Sequence, residues 1–161
     1  MSSRTHDVPV DGGTLRVGQW GPADPDRSVV PTVIAVHGIT SSHLAWPRSP
    51  ERCRRSLIAA DLLGRGRSAG LPGPFGMARH ARDLKAMIEV LQLPPAILVG
   101  HSMGGFVAVV AAHLYPDRFK AVLLIDGGLP LAIPAGISEH DLPEVILGPA
   151  VRRLSMTSRI A

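Results

Sequence analysis

The chain has 161 residues, enough for one domain around one core and too short for two. Hydrophobic residues at 45%, charged residues at 19% and a mean hydropathy of +0.20 exclude a solvated, disordered chain. The single cysteine, Cys53, has no Cys/His ligand spacing around it, which excludes a disulfide framework and a zinc module. The net charge of +4 is carried by residues 48–67, rich in arginine, while the rest of the chain is neutral overall. With 4% aromatic residues and none interleaved among those arginines, this is a solvated face and no nucleic-acid footprint.

The polar stretch from Met1 to Arg27 holds no charged segment followed by an apolar run, so no secretory signal is read and a reducing, cytoplasmic location is expected. Thr5 to Val10 alternates polar and apolar residues, breaks at Asp11-Gly12-Gly13, and alternates again from Thr14 to Trp20, which predicts a β-hairpin. Gly21 to Arg27 reads as a loop. Val29 to Val36 is an almost unbroken β-branched run, and Ser56 to Ala60, Ala96 to Val99 and Ala121 to Ile125 repeat the pattern, as buried strands of a parallel sheet do. Met77, Ala81, Leu84, Ile88 and Leu91 fall on one helical face, with Arg79, Arg82, Asp83 and Glu89 largely opposite. Phe106 to Tyr115 is apolar nearly all round, the pattern of a helix buried against a sheet, and Pro116-Asp117 closes it. A further crossover helix is expected near Trp46 to Arg55, yet that stretch offers almost nothing apolar to bury. The alternation predicts an α/β fold: a mostly parallel sheet of about six strands with flanking helices. Pro95 to Tyr115 has the length and hydropathy of a membrane span, but His101, Ser102, His113 and three glycines favour a strand followed by a buried helix.

The segment carrying chemistry is Gly100-His101-Ser102-Met103-Gly104, a G-x-S-x-G pattern where an apolar strand turns directly into a helix. A serine on so sharp a turn is pushed out at the carboxyl edge of the sheet, and small residues two before and two after let strand and helix pass closely. The helix behind it aims its free N–H groups at a developing oxyanion, with Met103 N–H as first donor. Another strand ends in His37-Gly38-Ile39-Thr40, a loop able to bring Ile39 N–H to the same edge as second donor. His37 is read as shaping that loop by hydrogen bonding, and His101 as too near the serine in sequence to act as its base. The glycines at 64, 66 and 70 have the spacing G-x-G-x-x-x-G and precede Leu71-Pro72-Gly73-Pro74 instead of a helix, which argues against a dinucleotide. No Walker-type phosphate loop is present, and neither a cofactor nor a metal is expected.

His37-Gly38-Ile39-Thr40, Asp61-Leu62-Leu63-Gly64-Arg65-Gly66-Arg67-Ser68 and Gly100-His101-Ser102-Met103-Gly104-Gly105, in this order, resemble the α/β-hydrolase fold family. The resemblance covers residues 5–130 and implies six strands of an incomplete α/β-hydrolase fold, with the nucleophile elbow after the fifth. It implies Ser102 as nucleophile, Ile39 and Met103 as oxyanion donors, and a structural loop at Asp61. Asp126, after the sixth strand, stands where some members hold their catalytic acid, and an ordinary Asp-Gly-Gly turn is the competing reading. A serine at the elbow speaks against dehalogenase and epoxide-hydrolase chemistry, which use an aspartate there.

The chain departs from the family in carrying no histidine after a last strand. His113 lies within the expected buried helix and His140 in a stretch, 133–157, that resembles the start of a lid. The expected organisation is a partial hydrolase core over 1–130 and the start of a cap over 131–161, as in the amino-terminal portion of a longer enzyme. The expected activity is serine-dependent hydrolysis of an ester, lactone, thioester or similar small-molecule carbonyl substrate, impaired by the missing base. A catalytically silent fragment or ligand-binding pseudoenzyme is the alternative. Nucleic-acid and membrane partners are not expected, whereas self-association through an uncovered sheet edge is.

Overall fold

The structure, a computed structural model, describes residues 3–21, 31–46 and 55–128. It opens with a hairpin of β1 (Arg4–Val10) and β2 (Gly13–Trp20), paired from Arg4 opposite Gln19 to Val10 opposite Gly13. Asp11 and Gly12 make the turn, Gly12 at φ +82°, where a side chain would be strained. β3 (Val33–Val36), β4 (Leu57–Ala60), β5 (Ala96–His101) and β6 (Phe119–Ile125) complete a six-stranded sheet of order β1-β2-β4-β3-β5-β6. The hairpin joins β4 antiparallel through β2, and β4, β3, β5 and β6 run parallel. The sheet is therefore mostly parallel, as the alternation of buried runs and helical patterns predicts.

Two helices, α1 (Met77–Val90) and α2 (Met103–Leu114), pack against each other and against the sheet. Ala81, Leu84, Met87 and Ile88 of α1 and Val107, Ala108 and Ala111 of α2 share one core with Val8, Val17, Ile34, Val36, Ile58 and Leu98 of the strands. A smaller cluster joins Trp20, Ala35 and Ala59, with Trp46 and Leu57 packed against it.

Several expectations shift on folding. The strand expected over Val29 to Val36 begins only at Val33 among the described residues, and β5 runs two residues further than expected, to His101. Arg79 and Asp83 do not face water: both are buried, 3.0 Å apart on successive turns of α1, and the Arg79 guanidinium also donates to the Asp11 carbonyl of the hairpin turn. The pair is met only in part: Arg79 bonds both Asp83 Oδ1 and Asp11, while Asp83 Oδ2 is buried with no hydrogen-bond partner among the described residues, and burial raises the Asp83 pKa. Residues 121–125 do not form a buried strand. β6, the outermost strand of the sheet among the described residues, is exposed over most of its length. α2 is likewise buried on one face only, with Val109 and Leu114 exposed at 41% and 45%.

The apolar stretch from Pro95 to Tyr115 folds as β5 followed by α2, and among the described residues no helix is long and apolar enough to cross a membrane. The expected helix near Trp46 to Arg55 falls mainly on residues 47–54, outside the described residues. So do residues 129–161, with His140 and the expected lid.

Candidate active site

β5 ends at His101 and α2 begins at Met103, so Ser102 alone makes the turn between them. Its backbone sits at φ 52°, ψ −121°, a sparsely populated conformation for a residue with a side chain, costing about 1–3 kcal/mol that the surroundings must hold in place. The holding contacts are all backbone. Ser102 N–H donates to the Ile125 carbonyl of β6 at 2.9 Å, and the Ser102 carbonyl accepts from Gly105 N–H at 2.9 Å.

Glycines surround the turn because main chains touch there. A Cβ on Gly100 would overlap the Gly104 carbonyl, and one on Gly104 would overlap the Val36 carbonyl at the end of β3. A Cβ on Gly105 would stand 2.7 Å from the Gly127 carbonyl group. These contacts press α2 onto the carboxyl ends of β3 and β5. Met103, the first residue of α2, carries an N–H with no acceptor inside the helix, beside the serine.

The loop after β3 approaches the same point. A Cβ on Gly38 would lie 3.3 Å from the Ser102 Cβ and 3.3 Å from the His101 Nδ1, so the Gly38–Ile39 backbone runs along the elbow. His37 holds this loop from within. Its Nε2 accepts from Leu62 N–H at 3.0 Å, which leaves the proton on Nδ1 to be donated to the Gly38 carbonyl at 2.7 Å. Burial is the main cause lowering the His37 pKa, against the hydrogen bond to Gly38, which raises it. The ring is neutral and engaged at both nitrogens, as its reading as a loop-shaping residue requires.

Sequence reasoning missed Arg65. Counted there among the solvated arginines, it donates from Nε to the Ile39 carbonyl at 3.2 Å and from Nη1 to the Leu63 carbonyl at 2.8 Å, clasping two loops together. Its only signal was its place between the glycines of the Asp61–Ser68 segment. In that segment Asp61, 1% exposed, accepts from His43 and from Arg67 N–H, and Ser68 Oγ accepts from Arg16 N–H of β2 at 2.9 Å. Asp61 is thus a structural staple, as expected.

A cleft of about 300 Å³ opens at this edge, lined by His37, Ser41, Ala45, Trp46, His101 and Ile125. His101 and Ile125 flank the serine, one as its sequence neighbour and the other as its hydrogen-bond partner. Asp126 follows β6 at φ 50°, exposed, and the next residue, Gly127, lies so close to the elbow that a Cβ there would overlap the Ser102 carbonyl. The structure therefore brings together Ser102, Met103, the Gly38–Ile39 backbone and the turn that bears Asp126. It does not bring a histidine to the serine: among the described residues no imidazole hydrogen-bonds the Ser102 hydroxyl. His43 and His80 are buried elsewhere, and His113, on the helix expected to be buried, is exposed on α2. Among the described residues no group of His, Cys, Asp and Glu side chains is arranged to hold a metal ion.

A mostly parallel sheet with a strained serine at a strand-to-helix elbow, with glycines two residues before and two after it, is the arrangement of an α/β fold whose strand-to-helix turns lie at the carboxyl edge of the sheet. The family model for the alpha/beta hydrolase fold matches residues 31–154, and the chain belongs to that family. Among curated proteins it is similar to lipase LipV of Mycobacterium tuberculosis, 35% identical over 118 residues, which cover 73% of this chain and 43% of that protein. It is also similar to the human (lyso)-N-acylphosphatidylethanolamine lipase, 34% identical over 126 residues, covering 74% of this chain and 36% of that one. Among solved structures, the thioesterase domain from the curacin biosynthetic pathway superposes with a TM-score of 0.69 at 28% identity, over 92% of this chain and 53% of the domain. The chain spans less than half the length of these two curated relatives.

Proposed function

We propose that the elbow serves acyl transfer to water, with Ser102 as nucleophile, on an ester, lactone, thioester or similar carbonyl substrate. The observation that carries this reading is the Ser102 backbone itself, left-handed at φ 52° between β5 and α2, with the Gly38–Ile39 main chain beside it. Strain of this kind persists where the surroundings over-determine it, and here every restraint serves to present one hydroxyl.

On this reading Ser102 Oγ attacks the substrate carbonyl carbon, and the negative charge that develops on the carbonyl oxygen is met by the N–H groups of Met103 and Ile39. Expulsion of the alcohol or thiol leaves an acyl-serine, which water then hydrolyses. Asp126 is the candidate acid, because its turn abuts the elbow and its carboxylate would orient an imidazole placed over Ser102. That imidazole is not among the described residues; without such a base, an oxyanion hole and binding supply ~10³–10⁴ over water. The similar proteins include two lipases and a thioesterase domain, and both kinds of enzyme transfer acyl groups from oxygen or sulfur.

The alternative, a silent protein that keeps the cleft to bind a small ligand, rests on the observation that among the described residues no imidazole hydrogen-bonds the Ser102 hydroxyl. Turnover of a short-chain aryl ester separates the two. Activity above background that Ser102→Ala abolishes, at matched purity, supports the hydrolase; activity undiminished in Ser102→Ala sinks the assignment of the nucleophile.

A further inference from the structure

The loop after β3 is a turn in which Ser41 N–H donates to the Gly38 carbonyl at 3.2 Å, with Ile39 and Thr40 at its tip. In a trans peptide the N–H points opposite to the carbonyl, so the bonds that hold the Gly38 carbonyl, from His37 Nδ1 at 2.7 Å and from Ser41, also set the direction of Ile39 N–H. Those bonds lie within the loop and fix its shape. Its base is tied to the loop after β4 by Leu62 N–H, which donates to His37 Nε2 at 3.0 Å. The tip has a different anchor. Ile39 and Thr40 are exposed, Ile39 at 42%, so side-chain packing restrains them little. What links the tip to the loop after β4 is Arg65, whose Nε donates to the Ile39 carbonyl at 3.2 Å. A turn held at its base alone swings about Gly38, which has no Cβ to resist the rotation.

Arg65 is itself a fixed point. Its backbone N–H donates to the Leu62 carbonyl and its carbonyl accepts from Ser68 N–H, both at 2.9 Å. Its Nη1 donates to the Leu63 carbonyl at 2.8 Å, which sets the plane of the guanidinium where Nε meets Ile39. Arg67, two residues on, takes part through its backbone N–H, which donates to Asp61 at 2.8 Å; among the described residues its exposed side chain makes no such bridge. We propose that Arg65 is a positioning residue for the oxyanion donor: by bridging the Ile39 and Leu63 carbonyls it holds the tip of the turn, and with it Ile39 N–H, in place over Ser102. The inference rests on the reading of Ser102 as nucleophile. It adds that the second donor depends on a side chain 26 positions away from it in the sequence.

The test is binding of phenylboronic acid to the full chain, followed by boron NMR. A bond forms between Ser102 Oγ and boron, the hydroxyl proton leaves to solvent, and the tetrahedral anion places an oxygen where the oxyanion would stand. The parent forms this adduct and Ser102→Ala does not. Arg65→Gln weakens it by about tenfold or more, since a misplacement of ~1 Å costs on the order of 10²-fold. Arg65→Lys keeps the charge but cannot fork between two carbonyls, and weakens it similarly. Arg67→Gln removes the same charge from the same loop and changes affinity by less than about twofold. Amide exchange by NMR supplies a second readout: Ser41 N–H exchanges faster in both Arg65 variants, while Leu84 and Met87 in the core of α1 exchange as in the parent. Full affinity in Arg65→Gln or Arg65→Lys overturns the proposal, as does an equal loss in Arg67→Gln. A parent without a Ser102-dependent adduct counts against the nucleophile instead; the bridge is then judged by Ser41 exchange alone, and unchanged exchange overturns it.

Discussion

The backbone N–H and the ring Nδ1 of His43 both donate to one carboxylate oxygen of Asp61, each at 2.7 Å. The other oxygen accepts from Arg67 N–H at 2.8 Å, and Gly66 passes over the carboxylate where a Cβ would overlap it. This single buried anion ties the segment that supplies Ser41, Ala45 and Trp46 of the cleft to the loop after β4. Burial pushes the Asp61 carboxyl up, but the His43 and Arg67 backbone N–H groups and the His43 ring outweigh it and hold its pKa below the ordinary value. The folded pKa is thus the lower one, so the stabilisation is present above the unfolded value near 4 and is lost as pH falls through the folded value. Asp61→Asn should cost ~2–3 kcal/mol at pH 7, where it leaves a buried donor poorly met. Urea unfolding at pH 7 and pH 3 checks this: the gap between variant and parent should narrow at the lower pH.

His80 titrates in a different window. Its ring, 2% exposed in α1, has a pKa lowered to about 4, by burial first and then by Arg65, His37 and Arg79. Its Nδ1 has no hydrogen-bond partner among the described residues. The unfolded chain binds this proton near pH 6.5 and the folded chain does not. Stability is therefore full above pH 6.5 and declines as pH drops from there to about 4, by ~3 kcal/mol for His80. His80→Leu should flatten that part of the stability profile, leaving a smaller slope of the same sign from His37. An unchanged profile between pH 6.5 and 4.5 would contradict the buried neutral state.

Gly104→Ala tests the elbow's architecture without touching the hydroxyl. The added methyl would meet the Val36 carbonyl, a backbone atom inside a central strand that cannot rotate away. The expected result is a loss of several kcal/mol, about 3 or more, or failure to fold. Gly70→Ala is the control. Its Cβ would meet nothing within 4 Å, and thermal melting should move little.

Asp126 is tested where a histidine is available. Fusing the carboxyl-terminal segment of a related hydrolase, one that carries further strands and a histidine, should raise both melting temperature and ester turnover. In that fusion Asp126→Asn should cost orders of magnitude in kcat by leaving the imidazole in the wrong tautomer. A loss below about threefold, roughly 0.65 kcal/mol of barrier, would mean that Asp126 only closes the turn after β6.

Which segments form strands and helices was legible in the sequence, because periodicity and turn residues are local. The hairpin broke at Asp11-Gly12, α1 followed the spacing of Met77, Ala81, Leu84 and Ile88, and the G-x-S-x-G pattern marked the one place where a strand meets a helix without a loop. Burial was another matter, since it depends on what lies across the sheet. An apolar run at 121–125 reads the same whether its strand is central or outermost, and only the strand order shows that β6 is the outermost strand among the described residues, where most of its side chains are exposed. The same holds for Arg79 and Asp83, which look like a solvated pair until the hairpin turn folds over them. Arg65 has no sequence signal for the Ile39 carbonyl 26 positions away. The sequence by itself determined which residue stands at the elbow. Tertiary structure decided what surrounds it, because Gly38, Ile125 and Gly127 reach Ser102 from elements distant in sequence, and the Ile125 and Gly127 contacts are between main chains, which carry no residue code.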